Sequence, residues 1–326
     1  QLGQAAGPGR ELASRSQEIW RSVLRETGLW HSPNGALIPA YEDDELLAIR
    51  QFIEAGEHDC EFLEAPQALA RSRFLNPDGL HGALFAPTEL GVDPPNAIAG
   101  LTDWLSRERG VVMFHSHGVT AINGSELTTT KGKFSADRII LCSGDDTSAL
   151  FPRILREQGF VRVKLQMMAT APQPGPCGSE PILASGLVLR SYDCFADLPA
   201  VRGIRERVDR QLPELDQFGI HVFVAQNASG ELLIGDSHEC DDAISVEDKP
   251  EIDEIILREA AKFCRYPQKT IARRWNGHYL RSPSGLGEPI TPAGNVAIVT
   301  GLGGAGMTLS FALAERTFSG PFIQGN

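Results

Sequence analysis

Near the end of the 326-residue chain, Gly301-Leu302-Gly303-Gly304-Ala305-Gly306 stands between an apolar run over 295–300 and a helix-forming run over 307–317. Glycines at these intervals let a backbone approach a ligand closely, and the unpaired N–H groups of a helix start, here Met307 and Thr308, favour negative charge. The spacing is literally G-x-G-x-x-G, but only 20 residues follow Gly306. That leaves no room for the helix, second strand and acidic ribose ligand that a dinucleotide fingerprint places about 20 residues on. The loop is therefore expected to hold an electron-rich group by its backbone, with close helix packing as the plain alternative.

A second polar concentration is Gly235-Asp236-Ser237-His238. It resembles the start of certain serine hydrolases, but the serine follows a hairpin strand and lacks the strand-to-helix elbow that exposes a nucleophile. Asp236, His238, Glu239, Cys240, Asp241 and Asp242 could be read as metal ligands, yet adjacent residues seldom converge on one ion without helical or CxxC-type spacing. No metal is expected; a polar strand end facing a substrate cavity is the preferred reading. His221, between Ile220 and Val222, reads as a core histidine satisfied by backbone or as a cavity residue. Gln166 and Gln226 are polar positions in apolar strands, either hydrogen-bonded in the core or lining a site. Lys164, Arg190 and Arg281 are cations available to a substrate anion or simply solvated. Trp275 and Tyr279 are packing aromatics or walls beside a cationic amine.

These residues need a frame. Apolar spacing predicts helices over 11–27, 44–55, 95–109, 198–217 and 250–265, most closed by a following glycine. Strands are expected over 35–41, 81–87, 111–115, 138–142, 161–170, 186–192, 220–226, 231–235 and 295–300, with hairpin turns at Asn123-Gly124 and Ser229-Gly230. This is an α/β chain in which a mixed or antiparallel sheet is inserted into a nucleotide-binding unit. A net charge of −12 disfavours nucleic acid and anionic membrane, and no apolar run reaches the ~18 residues of a membrane span, so a cytoplasmic enzyme of small molecules is expected. Six scattered cysteines without CxxC are expected to be reduced, and none is read as catalytic.

The run VAIVTGLGGAGMTLSFALAE resembles the C-terminal flavin motif of the superfamily of D-amino-acid oxidase, glycine oxidase and sarcosine oxidase. Further resemblances follow in the family's order. Gly118-Val119-Thr120 resembles its adenine-edge strand, SADRIILCSGDD its pyrophosphate segment with Ser143 and Gly144, Lys164-Leu165-Gln166 its re-entry strand, and Arg274 to Tyr279 its "waG.r" segment. More closely, RSQEIW, APTELGVDP, KLQMMATAPQPG, QFGIHVFVAQNASGELLIGDSHE and VTGLGGAGMTLS resemble a bacterial subgroup often associated with phosphonate catabolism, whose members are thought to oxidise aminoethylphosphonate-type amines, particularly N-methylated ones.

The resemblance implies a Rossmann-like FAD-binding domain over 1–30, 93–155 and 286–326 and a substrate domain over 31–92 and 156–285. FAD would touch Val119, Ser143, Gly144, Gly301, Gly303, Gly304, Ala305, Gly306, Met307 and Thr308. Gln166, Gln226, His238 and Tyr279 are the expected catalytic-cavity residues, and Arg190, Lys164, Trp275 and Arg281 the substrate binders. The implied reaction is oxidation of the C–N bond of a small amine or amino acid to an imine by hydride transfer to flavin, with oxygen or another acceptor taking the electrons. Two departures stand out. The family's opening βαβ unit, ~45 residues by usual size, does not precede Gln1, which keeps a cofactor-free binding domain or inactive fragment as the alternative. Tyr279 also stands where amino-acid oxidases carry the arginine that clamps a substrate carboxylate, arguing for an anion placed differently.

Overall fold

The computed structural model describes residues 2–240, 244–245, 247–283 and 286–320. Its centre is a nine-stranded, mostly antiparallel sheet. The long strand Val161–Thr170 lies between Ile271–Arg281 on one side and Leu232–Gly235 and Glu239–Cys240 on the other. The sheet continues through Phe223–Gln226 and Ile182–Ala184, pairs in parallel with Ala36–Ala40, and ends at Gly82–Ala86 and Glu61–Glu64. Helices Asp43–Ala55, Val201–Gln211 and Pro250–Phe263 contribute Ile49, Phe52, Ile204, Val208, Ile252 and Ile256 to the main core under this sheet. Burying one such aliphatic side chain is worth roughly 1.5–3 kcal/mol.

Register decides which residues can meet. Val163 pairs with Tyr279 and Met167 with Trp275, while Lys164 pairs with His278 and Gln166 with Asn276. Because side chains alternate across a strand, Tyr279, Trp275 and Arg281 lie on one face of the sheet and Lys164 and Gln166 on the other. The second face is the one that helix Pro250–Phe263 covers, since Gln166 bonds to Asp253 on it.

A second structural centre joins the chain's two ends. Helix Pro8–Thr27 stops at Gly28, whose φ of 66° is the left-handed cap that glycine adopts freely. It packs on helix Gly306–Ser319 through Leu12, Ala13, Leu309 and Ala312, with Trp20 edge-on to Phe311 at 4.7 Å. Beside them, strands Ile139–Leu141 and Val296–Ile298 run parallel. Strands Val119–Asn123, Glu126–Thr129 and Gly132–Ser135 form a separate hairpin sheet, with the turn expected at Asn123-Gly124 between the first two.

The helices over 8–27, 43–55, 94–108 and 250–263 and the strand over 161–170 match expectation closely. Three elements do not. Residues 186–192 form a 3₁₀ turn, Gly186–Arg190, instead of a strand, with Val188 N–H donating to the Ser185 carbonyl. A short buried apolar run satisfies either form, and periodicity cannot separate them. Residues 111–115 are not a strand: Val112 is 71% and Phe114 55% exposed, and among the described residues no neighbouring strand takes up their backbone. The helix expected over 198–217 breaks at Leu212, before Pro213, which lacks an N–H.

Candidate active site

The parallel strands Ile139–Leu141 and Val296–Ile298 end side by side, and ligands of open α/β sheets bind outside such carboxyl ends. Ser143 and Gly144 follow the first and the glycine loop follows the second. The Thr300 hydroxyl donates to the Gly144 carbonyl at 2.6 Å, tying the two loops together. Gly301, at φ 81°, could not carry a side chain: a β-carbon would stand 2.6 Å from the Phe160 ring and 3.0 Å from Ser282 Cβ. Gly303, at φ 59°, needs glycine for its backbone alone, because its nearest neighbours are 3.8 Å or more from that position. Around Gly306, helical at φ −53°, a β-carbon would meet nothing within 4 Å. Helix Gly306–Ser319 has no side-chain cap, so its first N–H groups are available to an acceptor. Met307 and Thr308, with Gln17, Trp20, Glu89 and Leu90, line a cavity of about 80 Å³ at this helix start. Val119 opens a hairpin strand in a different sheet.

Tyr279 bridges this loop to a polar cluster on the large sheet. Its hydroxyl and ring atoms lie 3.7–4.0 Å from the positions that β-carbons on Gly303 and Gly304 would take. On its other side it meets the His238 ring edge-to-face at 6.4 Å between centroids. His238 stacks on His221 at 4.5 Å with 12° between the planes, and His221 meets Tyr192 at 5.8 Å. His238 Nδ1 is 3.0 Å from the Gly219 carbonyl, and Nε2 is 3.8 Å from Asp236 Oδ2. The buried Oδ1 of Asp236 has no hydrogen-bond partner among the described residues.

Burial dominates the electrostatics here. It raises the Asp236 carboxyl to about 6 against the opposing pull of His238. His221 is pushed down to about 3 by burial and then by the nearby His238 and Arg190, so it is neutral at physiological pH. Burial, and then Asp236, hold the Tyr279 hydroxyl up at about 12. Such displaced groups facing one space are characteristic of functional sites.

Only some of the residues singled out in the sequence converge on this place. His238, Tyr279 and the exposed Arg281 do; Arg281 Cγ is 3.8 Å from the β-carbon position of Gly303. Gln166 does not. Its amide donates to the Lys249 carbonyl and Asp253 and accepts from the Lys249 N–H, fastening the start of helix Pro250–Phe263 on the far face. Gln226 binds Gly178 N–H and the Gly230 carbonyl, supporting two turns. Lys164 is fully buried, paired with Asp248 at 3.3 Å and the carbonyls of Ser245 and Glu247. Arg190 is committed to Asp216 and to the carbonyls of Leu187 and Ile220. Trp275 shares the face of Tyr279 but lies four residues away, ~13 Å along the strand, with the Arg273 guanidinium 5.3 Å from its ring.

The rival motifs resolve similarly. Ser237 is fully buried, and its hydroxyl accepts from Gln166 N–H, so it is no nucleophile. Of the acidic run, Glu239 pairs with Lys249 and Cys240 is exposed beside Arg281; Asp241 and Asp242 lie outside the described residues. His221, Asp236 and His238 do converge, with one ligand-type atom each within 4.8 Å of the others. All six cysteines are free, and among the described residues no helix is long and apolar enough to cross a membrane. Sequence reasoning underrated His221 and Asp236 and missed Tyr192. The alternating IHVFV pattern could have placed His221 on one strand face, but only the pairing of Phe223 with Gly235 brings Asp236 beside it, its N–H donating to the His221 carbonyl.

Residues 2–318 match the family model described as DAO, FAD dependent oxidoreductase. The chain belongs to that family of FAD-dependent enzymes. Its structure is similar to glycine oxidase from Geobacillus kaustophilus, with TM-score 0.72, 16% identity, and coverage of 98% of this chain and 80% of that one. It is also similar to L-proline dehydrogenase from P. horikoshii, with TM-score 0.70, 16% identity and coverage of 97% and 79%. The FAD-bound L-alpha-glycerophosphate oxidase from Mycoplasma pneumoniae gives TM-score 0.70 at 13% identity, covering 100% and 83%. Among proteins with curated descriptions, none matches by sequence. The residues fit the cofactor: an uncapped helix start and a glycine lacking neighbours around its β-carbon position leave backbone donors and space together.

Proposed function

We propose that this enzyme oxidises the C–N bond of a small amine whose anion is not an ordinary α-carboxylate, most simply an N-methylated aminoethylphosphonate. The observation that carries this reading is the position of Arg281, whose Cγ lies 3.8 Å from the β-carbon position of Gly303. Lys164 and Arg190 are consumed by structural partners, and Tyr279 occupies the place of a carboxylate clamp. Arg281 shares the Tyr279 face and is exposed, and among the described residues its guanidinium meets the Cys240 sulfur at 3.9 Å. It stands at the rim, where a large anion can be held while the amine reaches inward toward His238 and Asp236.

FAD, when bound at the glycine loop, supplies the acceptor for a hydride from the carbon next to nitrogen. The protein orients the substrate: Tyr279 forms the wall between loop and histidines, Arg281 takes the anion, and the His221–His238 stack sets the inner limit. Such positioning lowers the barrier by holding the reacting atoms close. The imine then hydrolyses in water, and oxygen or another acceptor receives the electrons. In this reading the flavin part comprises 1–30, 93–155 and 286–326, and the substrate part the remainder.

The test is Arg281→Ala in the FAD-loaded protein. KM for the phosphonate amine rises about tenfold, corresponding to ~1.4 kcal/mol, while KM for an uncharged amine is unchanged. Equal changes for both would contradict the assignment.

A further inference from the structure

We propose that His238 Nε2 accepts the proton of the substrate's ammonium group, with Asp236 positioned to stabilise the resulting imidazolium. This rests on the amine-oxidising reading above and adds the group that makes the amine reactive. An ammonium nitrogen has no lone pair with which to expel a hydride from the neighbouring carbon, so a proton must leave first.

The geometry selects one nitrogen of one ring. Nδ1 of His238 is 3.0 Å from the Gly219 carbonyl, which has only acceptor capacity. Nδ1 therefore carries the hydrogen, and Nε2 presents its lone pair toward Asp236 Oδ2 at 3.8 Å. Two acceptors at that separation can both be reached by one N–H-bearing group at about 2.8 Å. The second carboxylate oxygen, Oδ1, is buried and unpartnered among the described residues. A buried acceptor left open is destabilising, and a bound cation would offset that. His221 cannot substitute for its neighbour, because it stacks on His238 within range of Arg190 and burial holds it neutral. The other groups acting on this space are Tyr192, Tyr279, Cys240 and Arg281, with Cys194 and Glu89 reaching it through Tyr192. Both tyrosine hydroxyls are held above their ordinary range by burial, so neither serves as a base near neutral pH.

The step balances. The ammonium N–H bond breaks and its proton joins Nε2, leaving a lone pair on nitrogen. That pair forms the C=N bond as the adjacent C–H pair departs as hydride to FAD, so the amine loses two electrons and FAD gains them. The proton on His238 returns to solvent.

The experiment follows anaerobic flavin reduction by N-methyl aminoethylphosphonate across pH in the FAD-loaded wild type, His238→Gln, Asp236→Asn and Asp236→Glu. With His238→Gln the limiting rate at neutral pH falls about a hundredfold, within the usual range for losing a general base, and the rate tracks the free-amine fraction alone. Asp236→Asn moves the acid limb to lower pH, and Asp236→Glu moves it back. Independently of turnover, spectra of protein with ¹⁵N-labelled histidine show His238 as the Nδ1–H form, with Nε2 responding to the amine. If wild type is reduced but His238→Gln keeps its rate and profile, or His238 is the Nε2–H form, this inference falls and the amine reading stands. If no amine reduces the wild type, both fall. A stoichiometric divalent cation on the purified protein, lost in Asp236→Asn, would assign the cluster to metal binding and also overturn it.

Discussion

The Tyr279 hydroxyl stands 3.7 Å from the position that a β-carbon on Gly304 would occupy, so a side chain of the large sheet closes directly over the C-terminal glycine loop. This contact joins the two structural centres at the place where chemistry is expected. In the proposed reading this contact also sets specificity, because the residue at this position would decide which anion is clamped beside the loop. Tyr279→Arg is expected to improve kcat/KM for glycine or sarcosine relative to phosphonate amines by about tenfold, the value of ~1.4 kcal/mol. Comparing the two substrate classes in the variant and wild type checks this; an unchanged ratio would remove Tyr279 from substrate selection.

Gly306→Val separates cofactor binding from folding. The backbone there is ordinary helix, and a β-carbon meets no protein atom within 4 Å, so the variant is expected to keep its thermal unfolding profile. In the proposed placement of FAD the added methyl groups would project into its space, and flavin retained after gel filtration should drop by more than tenfold. Gly303→Val is expected to lose flavin and also about 1 kcal/mol or more of stability through its left-handed backbone. Full flavin retention in both would show that the loop does not contact the cofactor.

Lys164→Met and Gln166→Leu are expected to act on stability and not on substrate recognition. Each removes hydrogen bonds that fasten Ser245, Glu247, Lys249 or Asp253 to the far face of the sheet, at a cost of about 1–3 kcal/mol for buried groups left unpaired. Urea unfolding midpoints should fall while KM for the amine stays the same. A large rise in KM with unchanged midpoints would return these residues to the substrate site.

The two displaced groups of the cluster give opposing pH dependences. His221 has its pKa lowered from an ordinary 6.5 to about 3, so its contribution to stability is full above 6.5 and is lost as pH falls toward 3. Asp236 has its pKa raised from 3.8 to about 6, so its contribution is present at low pH and is lost as pH rises through 6. The His221 shift is the larger. His221→Asn should therefore flatten the fall in Tm on acidification below 6.5, and Asp236→Asn should raise Tm relative to wild type mainly above pH 6. Parallel Tm curves for wild type and His221→Asn would contradict the assigned burial.

What could be read from the sequence was local. The glycine loop, its flanking strand and helix, and the 161–170 strand carry their signals within a few residues, and the structure places them as expected. The failures at Gln166 and Lys164 have one cause: strand parity. The same polar residue belongs to the cavity or to the helix-covered side depending on whether its number is odd or even in register with Tyr279, and that register is fixed by Val163 pairing with Tyr279, 116 positions later in the chain. Arg190 failed because its segment is a 3₁₀ turn, which aims the guanidinium at Asp216 and the Ile220 carbonyl. Asp236 gained its importance from desolvation beside two histidines, a property of packing that adjacency in sequence does not carry.

The most direct test of the central claim is anaerobic reduction of the bound flavin by a panel of amines: N-methyl aminoethylphosphonate, aminoethylphosphonate, sarcosine, glycine and D-alanine. Oxidation of an anion-bearing amine at the Tyr279–Arg281 face predicts that the phosphonates, and the N-methylated one above all, bleach the flavin absorbance at least tenfold faster than the plain amino acids, on the scale of ~1.4 kcal/mol of discrimination. Faster bleaching by glycine, sarcosine or D-alanine would contradict the substrate assignment, and no bleaching by any amine would contradict amine oxidation itself.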